Sequence, residues 1–223
     1  MQATFPHLCY QQDARFWPVG MSIDPQQGIN GTPTIVPTMR ARWMAQVGFA
    51  LKGEAAALQW RAFLLQMHGM VGTTLVPVYS RYGVKDRDGH GLPFCDTAQL
   101  ADAQTWEGFG FENTTVTRVV VAAAAPLRAT QLDLTLYNTT GLRPGQYFSI
   151  GDRLHAVRSH WQPDGSTHRV AIVPPLRSAV PAGARVEIEK PVCRMRMVTE
   201  TEGLFDQAMD VFPSVSVQFQ EAL

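Results

Sequence analysis

The sequence predicts a mainly β protein with one covering helix and a small β-barrel inserted in the chain, and three observations carry that prediction. Over residues 40–51, Trp43, Ala45, Val47, Phe49 and Leu51 alternate with Arg40, Arg42, Met44, Gln46 and Gly48, the period of a half-buried strand. The period then changes. Ala56, Trp60, Phe63, Leu64 and Met67 recur at helical spacing while Lys52, Glu54, Gln59, Arg61 and Gln66 point mainly elsewhere, which predicts an amphipathic helix over 54–68. Between 114 and 189, short alternating runs follow one another with Gly, Pro and Asp between them, the text of a small barrel or sandwich. No other segment has a convincing helical period.

Residues 1–39 carry Pro6, Pro18, Pro25, Pro33 and Pro37 with Gly20, Gly28 and Gly31, a density that argues against long regular elements. They are expected to form an extended N-terminal arm with one or two short strands, such as 34–36. Such an arm is either laid on a neighbouring subunit or wrapped on its own domain. Gly69 stops the helix and 74–79 returns to strand. Residues 80–113 are glycine-rich and irregular, with a short helix expected at 97–104 behind Thr97 as N-cap. A loop of that length marks a domain junction or a surface ordered on assembly.

Strands are then expected at 115–121, 131–137, 146–150, 153–159, 168–173 and 184–189. Leu142-Arg-Pro-Gly145, Gly151-Asp152 and Pro163-Asp-Gly165 supply the turns. Two further strands, 193–198 and one holding Val215, Val217 and Phe219, are too isolated to stand alone. They are expected to return to the sheet begun at Arg40. The expected domains are thus the arm 1–39, a discontinuous β domain of 40–110 with 191–223, and a barrel insertion at 111–190.

Composition narrows the function classes. Charged residues are 17% of the chain, below the roughly 25% usual for soluble domains, while apolar content is ordinary. A surface so poor in charge suits permanent burial against partners. The formal net charge is zero, so no bulk attraction draws the chain to nucleic acid or an anionic membrane. The first residues lack the cationic start and apolar run of a secretory signal, and no apolar stretch is long enough to span a bilayer. Cys9, Cys95 and Cys193 are odd in number and far apart, which fits free thiols made in a reducing cytoplasm.

Candidate chemistry is sparse. His155, His160 and His168 lie close in sequence, but their spacings of five and eight, with no nearby cysteine, favour surface or core histidines over zinc ligands. Asp86-Arg-Asp-Gly-His90 opens like a calcium loop. Its twelfth position is Thr97 rather than glutamate, so a polar turn is the better reading. Trp106, Phe109 and Phe111 either stack on a sugar ring or anchor a loop to a neighbour, the second being favoured. No G-x-S-x-G or phosphate-cradling glycine motif is present. The sequence therefore offers no catalytic, cofactor-binding or metal residues, and the expectation is a protein that is not an enzyme and has no cofactor.

The strand–helix–strand at 40–79, containing Trp60-Arg-Ala-Phe-Leu64 and His68-Gly69, resembles the N-terminal part of siphophage distal tail proteins. The cassette Leu142-Arg-Pro-Gly-Gln-Tyr-Phe-Ser-Ile-Gly-Asp-Arg-Leu-His-Ala-Val157, followed by Val173-Pro-Pro-Leu-Arg177 and Gly183, is similar to the small barrel of several such proteins. The ending Val215-Ser-Val-Gln-Phe-Gln-Glu-Ala-Leu223 resembles their closing strand. The likeness covers residues 40–80 and 114–223. It implies a tail-tube-like β-sandwich with a peripheral barrel, in a virion protein that forms a ring, typically a homohexamer, at the distal end of a long non-contractile tail.

The partners it implies are further copies of the chain, the tail tube protein, the tail hub protein and tail fibres. Contact with DNA would be transient and non-specific, without membrane insertion. Too few residues remain for the galectin-like receptor-binding domain of some relatives. The implied location is the tail tip of a virion made in a bacterial cytoplasm. The competing readings are a trimeric hub or minor tail protein, a carbohydrate-binding module built on Trp106 to Phe111, and last a hydrolase.

Overall fold

The computed structural model describes residues 2–7, 9–27, 33–78, 80, 82–85, 89, 117–163, 165, 167–204 and 213–223. The chain divides into two compact units, Met1–Val78 with Cys193–Leu223, and Tyr79–Val192. Both are built on strands, with one helix among the described residues.

The first unit contains β1 (Gln2–Ala3), β2 (Tyr10–Val19), β3 (Gln26–Gln27), β4 (Pro33–Thr34), β5 (Arg42–Ala50), α1 (Glu54–Met67) and β6 (Thr73–Pro77). Numbering the second unit's strands from β7 to β12, it closes with β13 (Val192–Met197), which begins at the junction, and β14 (Ser214–Glu221). Its sheet runs β1-β6-β13-β14-β5-β2. The alternation in β5 is expressed directly, with Trp43, Ala45, Val47 and Phe49 buried. Val215, Val217 and Phe219 of β14 join them on the covered face, opposite Phe49, Val47 and Ala45.

Helix α1 is the second layer. Its buried Ala56, Trp60, Phe63 and Met67 share one face, and the Trp60 ring centroid stands 4.9 Å from that of Phe49. Phe5 wedges beside them, 5.7 Å from Phe49 and 6.4 Å from Phe63. The Trp60 indole Nε1–H donates to the Gly203 carbonyl at 2.9 Å, so its polar edge is satisfied within the core. The helix ends one residue before the expected position: His68 takes the left-handed conformation, and Gly72 N–H caps the Met67 carbonyl at 2.7 Å.

The stretch expected to be an extended arm with one or two short strands is in large part sheet. β1 pairs parallel with β6, and the ten-residue β2 pairs antiparallel along the whole of β5. The proline count averaged over 1–39 concealed an interval, 7–17, that holds neither proline nor glycine. Pro18 is tolerated near the end of β2 because that strand is an edge. What remains of the arm is the connection from β2 to β5, a two-stranded ribbon. In it Gln26 faces Thr34, Gln27 faces Pro33 and Ser22 bridges Pro37.

The second unit holds β7 (Arg118–Val121), β8 (Gln131–Tyr137), β9 (Tyr147–Ile150), β10 (Arg153–Trp161), β11 (His168–Val173) and β12 (Arg185–Val186), in the order β12-β7-β8-β11-β10-β9. Its ends meet where Ser149 and Glu187 exchange two backbone hydrogen bonds of 2.8 Å, so the sheet is a small, nearly closed barrel. Leu132, Leu134, Phe148, Val157, Val170 and Ile172 fill it. Val84 belongs to the same core, and Gln146 Nε2 donates to the Tyr82 and Gly83 carbonyls. The unit accordingly starts at Tyr79, upstream of the expected 111. The strand expected at 184–189 is cut to two residues. There Glu187 turns away to pair with Ser149, and its carboxylate accepts the Glu189 and Lys190 N–H groups at 3.1 Å.

Candidate functional site: the open face of the first sheet

Because side chains alternate along a strand, covering one face with α1 leaves the other to water. Register builds that open face in rows. Arg15, Gln46 and Gln218 lie side by side across β2, β5 and β14. Trp17, Met44, Gln220 and Arg196 form the adjacent row, reaching β13. Asp13, Gly48 and Ser216 form the row on the other side, and the Gln46 amide Nε2 donates to Ser216 Oγ at 3.2 Å.

Gly48 leaves room for the Asp13 side chain. A Cβ there would overlap the Asp13 carboxylate, which lies over the strand at a bulge between Gln11 and Asp13. Trp17 and Met44 apart, the face is polar, with serines and glutamines at its centre, and carries Arg15, Arg42, Arg194 and Arg196 against Asp13. Its polar and cationic groups are spread over the face rather than gathered at one point.

The other sequence candidates fall elsewhere. His155 is buried, and its Nδ1–H donates to the Pro174 carbonyl at 2.9 Å, which fixes the tautomer. Burial pushes its pKa down to about 4, an effect partly opposed by the Pro174 bond and reinforced by Arg177 and Arg153. It is a neutral packing group. His160 Nε2 and His168 Nδ1 approach to 3.0 Å, with ring centroids 5.2 Å apart and planes 12° apart. Adding about 1.1 Å from centroid to nitrogen at each end nearly recovers the centroid separation. The rings thus meet edge to edge in one plane, as an N–H···N hydrogen bond requires.

Two metal-ligating imidazoles would instead aim their lone pairs at a common point about 2.0–2.1 Å away. Among the described residues no group of three His, Cys, Asp or Glu side chains gathers to hold a metal. Arg169 forms a bidentate pair with Asp133 across β11 and β8, at 2.5 and 2.8 Å.

Cys9 and Cys193 are buried free thiols, and burial raises the Cys9 pKa to about 11. Cys95, the turn at 86–90 apart from Gly89, the helix expected at 97–104, and Trp106, Phe109 and Phe111 lie outside the described residues.

Sequence reasoning missed the β2 side of the open face. The signal was present: Asp13 and Arg15 alternate with Ala14 and Phe16, the same period that identified β5.

No protein-family model matches the chain, and no curated protein matches it either.

Proposed function

We propose that this chain is a structural virion protein that closes into a ring at the distal end of a long non-contractile phage tail, joining the tail tube to the hub. One observation carries the reading. The first unit is a six-stranded sheet with a helix over one face and a polar, weakly charged open face on the other. A tube wall needs that asymmetry, with a packed outer layer and a hydrated lining. The lining must let a polyanion slide, and four arginines spread over a field of serine and glutamine give few phosphate contacts per copy. Attraction of that kind is weak and falls steeply with salt.

The test is the mass of the purified chain in solution together with electron-microscope images. The expected result is a closed ring with a central opening, typically six copies. A monomer at every concentration up to several hundred micromolar, or a threefold particle, would overturn the reading.

A further inference from the structure

Among the apolar surfaces that the described residues of the first unit leave in water, two are defined by strand and helix spacing. The first is the outer side of α1. Ala55, Leu58, Ala62 and Leu65 are all exposed, Leu65 to 75%, and their spacing of three and four places them in one stripe. That stripe is turned roughly 150° about the helix axis from the buried Ala56, Trp60, Phe63 and Met67. Glu54 and Arg61 border it on one side, Gln59 and Gln66 on the other. Alanine and leucine favour the helix in their own right, but two leucines exposed in one stripe also offer apolar ground to a partner.

The second is the ribbon at 20–40. Ile23 N–H donates to Val36 and Thr38 N–H to Met21, at 3.0 and 2.8 Å, so Met21, Ile23, Val36 and Thr38 share one face. Met21, Ile23 and Val36 are each about half exposed. The ribbon's charged residues are Asp24 and Arg40. A two-stranded ribbon is marginal by itself in water and needs a surface to lie on.

We propose that the Met21–Ile23–Val36 face of one copy lies along the outer α1 stripe of the next copy. The Met21–Ile23–Val36 face runs about 7 Å along its strands and the stripe from Ala55 to Leu65 about 15 Å along the helix, so the one fits within the other. Both surfaces are almost uncharged, which suits each to the other better than to a polar partner. Two different patches of one chain make a head-to-tail contact, the kind that generates rings when the rotation closes.

The area explains why closure matters. Each side offers roughly 300 Å², so one contact falls below the ~1,000 Å² total of a stable interface. A closed ring gives every copy two such contacts. The proposal deepens the ring reading and rests on it for closure, not for the contact itself.

The test is disulfide trapping in a Cys95→Ser background, where Cys9 and Cys193 are buried. Ile23→Cys chains are mixed with Leu65→Cys chains and mildly oxidised, with Leu58→Cys run in parallel. The expected result is a mixed covalent dimer several-fold above the yield from either population alone. Leu65→Cys chains linking to one another would overturn the proposal in favour of helix pairing. Capture by Ile35→Cys instead of Ile23→Cys would overturn the choice of ribbon face. Mass measured before oxidation separates the two readings: a ring without the link overturns this contact alone, and a monomer overturns both.

Discussion

Acidification should unlock the barrel unit through one residue. His155 is 2% exposed and neutral, donating from Nδ1 to the Pro174 carbonyl, with a folded pKa of about 4 against an ordinary value of 6.5. Above 6.5 both folded and unfolded chains hold a neutral imidazole, and the group contributes no pH dependence. As pH falls below 6.5 the unfolded chain takes up a proton that the folded chain refuses until about 4, so stability is lost through that window and the loss then levels off. The interval is about 2.5 units at about 1.4 kcal/mol each, or roughly 3 kcal/mol by pH 4. His155→Gln keeps an N–H donor for Pro174 without a titrating ring. Urea unfolding of both proteins at about pH 7 and pH 4 is the assay. The stability difference between them should change by about 3 kcal/mol in favour of the variant on acidification, whatever the substitution costs at neutral pH. Parallel losses in the two proteins would refute the assignment.

Gly203→Ala should destabilise the first unit by roughly 2–4 kcal/mol, the sum of a left-handed backbone penalty and overpacking. Gly203 has φ 76°, and a Cβ there would stand 2.9 Å from Trp60 Cζ2 and 3.0 Å from Val217 Cγ2. Denaturant unfolding followed by tryptophan fluorescence checks it, and an unchanged midpoint refutes it. Cys9, buried and with its pKa raised to about 11, should stay unmodified by iodoacetamide at about pH 8 until the chain is unfolded. Peptide mapping by mass spectrometry reads the outcome, and rapid native labelling of Cys9 refutes it.

The elements legible in the sequence are those with one face buried along their whole length. β5, β8, β14 and α1 each sort their side chains between core and water at a single period, so composition and spacing suffice. β2 escaped because proline counted over a wide window outweighed a short proline-free run. β12 was overextended because its length is set by where Ser149 waits, a tertiary fact. The open face was legible strand by strand but not as one surface. Gln46 and Ser216 touch across 170 residues of chain, and only register brings them together. The outer α1 stripe lies between these cases: its spacing was in the sequence, yet nothing in the spacing says that Leu58 and Leu65 face solvent.

The two faces of the first sheet also limit how copies can meet. One face is already occupied by α1, and the other is too polar for burial to repay the desolvation of its glutamines and arginines. The β2 margin is poorly suited to adding a strand from another chain, since a bulge near Gln11 and Asp13 and Pro18 at the other end interrupt its hydrogen-bonding row. Stacking face to face and extending the sheet from this edge are therefore both disfavoured. Among the described residues the apolar ground left to a neighbour includes the ribbon and the back of the helix, which lie on opposite sequence flanks of β5. An assembly that used them would keep the polar face free, and on that ground the proposed ring is favoured over a sandwich of copies.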